Sequence, residues 1–216
     1  MKSKTIFILV AVSLTIAAVY SIRLYADDLT PPSWRTDPPG EGLTTFQAWE
    51  FSTDTNPAIP DIDNNPFGVA QATIVYDAPF IPWINMDEGH QGVWYVCDWI
   101  EVDIPNSSVS NPLKYVWIQL TYSAGGAADA QIFSVPDMIS FDIITKYQID
   151  DYYWHGAYLV TLEPNPAAET IYILPRDCSI YIDELVIDTL CIPEPATTVL
   201  LGVGGLIFCR CRAARV

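Results

Sequence analysis

The densest set of oxygen donors in this chain of 216 residues runs from Asp54 to Pro66, in the order Asp-Thr-Asn-Pro-Ala-Ile-Pro-Asp-Ile-Asp-Asn-Asn-Pro. Asp54, Asp61, Asp63, Asn64 and Asn65 offer carboxylate and amide oxygens, the hard donors that Ca²⁺ takes about six to eight at a time, and a loop can wrap an ion where a strand cannot. The same residue types also form turns with no ion present, so the stretch reads either as a calcium loop or as a plain connection. A second constellation is Glu101 and Asp103. Two residues apart on a strand, they share a face and influence each other's titration, and a pair of carboxylates is what glycoside hydrolysis requires.

The remaining inventory is thin for catalysis. His90 and His155 are the only histidines; the first sits in a turn-like Asp87-Glu88-Gly89-His90 and the second follows Tyr153-Trp154. Neither stands in a His-Glu-x-x-His motif, and there is no Gly-x-Ser-x-Gly or phosphate-cradling glycine loop. Aromatic rings are plentiful, and sugars stack their C–H faces on Trp and Tyr. Trp99 lies on the acidic side of its segment, and Tyr153 and Trp154 sit beside a glycine, so these three are the expected glycan platform. Trp94 and Trp117, inside apolar runs, are expected in the core.

Elements that would position these groups are all strands. Thr44–Phe51 and Val69–Tyr76 are aromatic and β-branched. Gly92–Ile104 reads as one half-buried strand, with Ile100, Val102 and Ile104 alternating against Trp99, Glu101 and Asp103. Leu113–Tyr122 is apolar on both sides and suits a central strand. In Met138–Ile149, Ile139, Phe141, Ile143, Tyr147 and Ile149 fall on one face against Ser140, Asp142 and Lys146. Tyr152–Leu162, Thr170–Leu174 and Ser179–Thr189 bring the total to about eight. Asp183 and Glu184 should then face opposite ways and form no dyad. No long 3.6-residue period occurs and prolines punctuate the strands, so the expected fold is an all-β antiparallel sandwich of jelly-roll type.

All 26 acidic residues lie between Asp27 and Glu194, opposed there by Arg35, Lys114, Lys146 and Arg176 alone, so this region carries −22. Repulsion disfavours nucleic acid and anionic lipid, while cations, a hydrated matrix or basic partners suit it. Cys97, Cys178 and Cys191 fall in the same region. A bridge between Cys178 and Cys191 would span an extended strand at about 3.3 Å per residue, so a bond from Cys97 to either is preferred, with a set of buried free thiols as the alternative.

The ends address the chain for export. Lys2 and Lys4, the apolar run Ile6–Ala18 and Leu24-Tyr25-Ala26 make a signal peptide, 1–26, with cleavage before Asp27. An earlier cut after Ser21 and an uncleaved anchor are the alternatives. Residues 27–42, rich in Pro, Asp and Gly, read as an extended lead-in, and 43–191 as a single ectodomain. At the other end, Pro193-Glu194-Pro195 precedes an apolar helix of about 14 residues, too short and too glycine-rich for a permanent span. Arg210, Arg212 and Arg215 follow it and keep that end cytoplasmic.

These last three parts in order resemble the PEP-CTERM sorting signal of diderm bacteria, here 192–216, about 25 residues of the chain. The resemblance implies recognition by an exosortase and the export machinery, with transient membrane anchoring and then release or attachment at the surface; a plain tail anchor is the alternative. Within the ectodomain, Ile180–Asp188 resembles the closing strand of carbohydrate-binding and galactose-binding-like jelly rolls. The function this implies is non-catalytic association of a surface or matrix protein with exopolysaccharide. A secreted carbohydrate-active enzyme using Glu101 and Asp103 is the alternative.

Overall fold

The computed structural model describes residues 26–36, 43–77, 82–108, 111–123, 130–135, 138–176 and 179–193. The expected signal-peptide helix, the apolar C-terminal helix, Glu194, Pro195 and the arginines Arg210, Arg212 and Arg215 lie outside them; Pro193 is inside. Among the described residues no helix is long and apolar enough to cross a membrane.

The strands are β1 Thr44–Trp49, β2 Ile62–Asn64, β3 Gln71–Val75, β4 Trp83–Asp87, β5 His90–Val96, β6 Trp99–Pro105, β7 Leu113–Ser123, β8 Ala130–Val135, β9 Met138–Gln148, β10 Tyr153–Leu162, β11 Ala168–Pro175 and β12 Ile180–Ile192. They build two antiparallel sheets. The larger runs β2-β1-β12-β7-β10-β9, and β12 is its spine: Leu185–Leu190 pair with β1, while Ile180–Ile182 pair with β5 of the β4–β5 hairpin. The smaller runs β3-β6-β11-β8. Ala72, Ile74, Ile100, Val102, Ile104, Ile171 and Ile173 from the smaller sheet meet Val116, Ile118, Leu120, Tyr158, Val160, Leu185 and Ile187 from the larger in one core. Each of the Val, Ile and Leu side chains among them contributes roughly 1.5–3 kcal/mol by leaving water.

The expected single strand 92–104 is two strands in different sheets. The apolar parity of Trp94 and Val96 continues through Ile100, Val102 and Ile104, but the chain bends at Cys97 and Asp98 and carries that parity from one sheet to the other. Gly92, earlier in β5, lets that strand pass close to the chain after β1: its φ is +81°, and a Cβ there would stand 2.4 Å from the carbonyl oxygen of Phe51. The strands β2, β4 and β8 are additions to the expected eight; the first two are short and flanked by turn residues, which hid them.

Two other expectations fail for physical reasons. The apolar face of β9 is not a core face: Ile139 and Ile144 are extra residues at register shifts against β10, which break the alternation, and β9 is the sheet's edge. Ile139, Ile143, Ile144, Tyr147 and Ile149 are exposed, and only Phe141 and Met138 pack on the core. Cys97 and Cys191 are both free thiols, the first exposed and the second buried. Val96 pairs with Ile180, so Cys97 sits at the opposite end of β12 from Cys191, roughly 35 Å away at strand rise. Cys178 lies outside the described residues.

One end of the inner layer is polar. Lys114 and Glu169 have fully buried side chains, with Lys114 Nζ 2.5 Å from Glu169 Oε1. Asn106 joins them, accepting from Lys114 and donating to Glu169, and also donates to the Pro166 carbonyl at 2.9 Å. Asn165 donates to Cys191 Sγ at 3.4 Å. Burial raises the Glu169 carboxyl above its ordinary value, against the opposing pull of Lys114.

Candidate functional site

Three turns and edges meet at the β4–β5 end of the larger sheet. The β4–β5 hairpin closes through Glu88 and Gly89, both at positive φ (46° and 96°), the geometry of a two-residue turn matched to strand twist, and it pairs Asp87 with His90. At the β9–β10 turn, Asp150 Oδ1 accepts the amides of Tyr152 and Tyr153 at 2.8 and 2.7 Å, a side chain substituting for backbone in the turn. On β12 the register shifts between Ile182 and Glu184, so Asp183 is the bulged residue, and the expected strict alternation through Asp183 and Glu184 does not hold.

These features converge on His90. Its Nδ1 lies 2.6 Å from Asp183 and its Nε2 2.9 Å from Asp150, while its ring stacks on Tyr153 at 3.7 Å between centroids. Tyr153 donates its hydroxyl to Asp87 at 2.8 Å. Burial works to lower the His90 pKa, but the hydrogen bonds and charges of Asp150 and Asp183 outweigh it and the net shift is upward. The bond from His90 holds the Asp150 carboxyl down at about 2, and burial followed by Asp87 pushes the Tyr153 phenol up. Both imidazole nitrogens are engaged by carboxylates, so His90 is a clasp across two turns and a bulge, with no nitrogen left to act as a free base. Sequence reasoning missed this cluster because its members lie 60 and 93 residues apart from His90.

The expected lead-in is half of it a docked strap. Residues 26–36 cross the outer face of the larger sheet. Trp117 donates to the Thr30 carbonyl at 2.8 Å, Gln119 bonds the Thr30 amide and Asp28, and Thr30 meets His155. Arg35 pairs with Asp28 and Asp188 and lies over the Phe46 ring at 3.8 Å. Burial raises Asp188 to about 6 despite Arg35, and lowers His155. Trp117, expected in the core, is half-buried beneath this strap.

The outer face of the smaller sheet carries the paired acids. Register places Thr73, Glu101 and Tyr172 in one row and Gln71, Asp103 and Thr170 in the next, with Trp99 beside Val75 at the margin. Thr170 donates to Asp103 at 2.7 Å, and Tyr172 stands directly across from Glu101. Trp99 is half-buried, and Tyr172 is a ring the sequence reading did not select. Of the other expected platform residues, Tyr153 is buried beneath His90 and offers no face to a sugar, and Trp154 is half-buried at the core's margin with the Lys146 ammonium 5.3 Å from its ring.

In the expected calcium loop, Asp61 accepts the Glu50 amide at 2.8 Å, Asp63 the Ala70 amide at 3.3 Å and Asn65 the Phe67 amide at 2.9 Å. Asn64 is exposed on β2 and Asp54 is exposed in the loop before it. Among the described residues no three His, Cys, Asp or Glu side chains are grouped to hold a metal ion.

No protein-family model, no curated protein and no solved structure matches this chain.

Proposed function

We propose that the chain is an exported surface or extracellular-matrix protein, handled by an exosortase through its C-terminal signal. Its jelly-roll sandwich associates with exopolysaccharide without catalysing a reaction. The observation that carries this reading is the outer face of the smaller sheet, where Trp99 and Tyr172 stand among Thr73, Gln71, Glu101, Asp103 and Thr170 on three adjacent strands. A sheet face that carries aromatic rings and hydrogen-bonding groups suits an extended sugar chain, which offers C–H faces and hydroxyls. Asp103 is held by Thr170 and Glu101 faces Tyr172 across the strands, two hydrogen-bond acceptors on one strand. A hydrolase needs two carboxyls flanking a bond from opposite sides.

Binding of the exported protein to polysaccharides immobilised in a native gel tests this. Retardation by a neutral polysaccharide that is lost in Trp99→Ala and Tyr172→Ala supports the reading. Release of reducing sugar that disappears in Glu101→Gln replaces it with the hydrolase alternative. Intact mass of the protein from a host carrying an exosortase tests the delivery half: a C-terminus near Pro195 supports it, and retention of Arg215 opposes it.

A further inference from the structure

The first residues of the strap point to a site for the chain's own processed N-terminus. The backbone nitrogen of Asp27 donates to Glu184 Oε2 at 2.9 Å, in a half-buried position on the larger sheet's outer face. Thr121 donates to the same oxygen at 3.3 Å. This nitrogen belongs to the peptide bond that the signal-peptide reading places at the cut. Hydrolysis there converts the Ala26–Asp27 amide into an Ala26 carboxylate, which leaves with the leader, and an Asp27 α-amine, which takes a proton.

We infer that Glu184 is a receptor for the α-ammonium group that cleavage before Asp27 creates, so that removal of the leader adds an ion pair at a position already shaped for it. The inference rests on the exported reading above. Its support is geometric. Every other polar anchor of the strap lies downstream of the cut: Asp28 and Thr30 on Gln119, Thr30 on Trp117, and Arg35 on Asp188. The new terminus is therefore held against Glu184 by contacts that survive processing. What is lost is Ala26, whose methyl packs against Ala48 and Val186, leaving a space of one methyl group.

The charges around the amine favour it. Glu184 and Asp183 of β12 and Asp27's own carboxylate act on this spot, and Glu50 after β1 feels Asp27 as well. In the uncut chain burial, then Asp183, lifts Glu184 to about 7, the condition of a buried carboxylate short of a cation. His155 of β10 is the opposing titratable group, and burial holds it toward its neutral form. An amide N–H supplies one hydrogen bond without charge; an ammonium supplies the charge and two further donors, and a charge-assisted bond is about twice as strong.

The test uses the full chain expressed in a bacterial host with an outer membrane. The exported product is identified by N-terminal mass and then treated with cyanate near neutral pH, which carbamylates only the unprotonated amine. An α-amine raised by one pKa unit above its usual range near 8 reacts about tenfold more slowly. The expected result is a product starting at Asp27 whose α-amine reacts about tenfold more slowly than in Glu184→Gln, with Lys146 reacting equally in both. Lys114, fully buried, reports folding by staying unmodified. If Glu184→Gln does not fold, the urea-unfolded wild type is the reference, and the same tenfold protection is expected. Equal α-amine rates overturn the inference, as does an exported product starting at any other residue; both leave the exported reading standing. Retention of Met1 in a protein that stays inside the cell overturns both.

Discussion

Replacing Lys114 with methionine removes the one cation from a fully buried carboxylate. Glu169 then has only the uncharged donors, Asn106 and a backbone amide, and at neutral pH it must either remain ionised without a counter-charge or take up a proton. Neutralising a carboxyl of ordinary pKa 4.5 takes about 1.4 kcal/mol per pH unit above that value, so about 3–4 kcal/mol at pH 7. This agrees with the roughly 3–5 kcal/mol measured when one partner of a buried pair is deleted. For a domain of this size it corresponds to a fall in Tm of about 6–20 °C. Urea unfolding of the protein, followed by tryptophan fluorescence, measures it. The pH dependence has a definite sign. Glu169's folded pKa is raised, so its contribution is complete below the unfolded value and lost as pH rises through the folded one. Losing Lys114 raises it further, and the Lys114→Met deficit should be about 1 kcal/mol at pH 5 and several times that at pH 8. Replacing both residues by apolar ones, Lys114→Met with Glu169→Leu, should recover most of the loss and flatten the profile. A single-variant deficit that is small and independent of pH, or a double variant as damaged as the single, would refute this reasoning.

Gly92→Ala places a Cβ 2.4 Å from the Phe51 carbonyl oxygen at a φ of +81°; the backbone conformation alone costs about 1–3 kcal/mol, and Tm should fall accordingly in a thermal melt. Arg35→Met leaves Asp188 buried without its cation. A loss of about 2–3 kcal/mol is expected, below that of a fully buried pair because Arg35 is a quarter exposed, with faster hydrogen exchange confined to 27–36. The His90 clasp is complete below the ordinary histidine pKa of 6.5 and weakens as pH rises through its raised folded value, as does Asp188's raised contribution. Asp150's contribution is lost below 3.8 toward 2, and His155's as pH falls below 6.5. A melting series should therefore show the difference between wild type and His90→Gln shrinking from pH 6 to pH 9. Trp99→Ala and Tyr172→Ala, half-buried and on an outer face, should abolish polysaccharide retardation while shifting Tm by only a few degrees.

Strand composition alone determined the fold class, because two-residue alternation in Ile100, Val102 and Ile104 or apolar continuity in Leu113–Tyr122 is a local consequence of which faces are buried. It also placed Trp94 in the core and Glu101 and Asp103 together on one outer face, since i and i+2 on a strand share a side whatever the partner strands are. Phase was legible; sheet membership was not, and the unbroken parity through Cys97 and Asp98 hid the corner between β5 and β6. The exposed face of β9 depended on two bulges and an edge position, and the thiols of Cys97 and Cys191 on which end of β12 each occupies. The His90 clasp, the Lys114–Glu169 pair and the strap's hold on Asp188 and Glu184 join residues 55 to 157 apart. Local sequence carries no term for such pairings. On β12, the spine of the larger sheet, Asp183, Glu184 and Asp188 meet the β4–β5 hairpin and the strap, while Lys114 of β7 meets Glu169 of β11 across the two sheets, and only the assembled sandwich decides which cation or amide each acid meets.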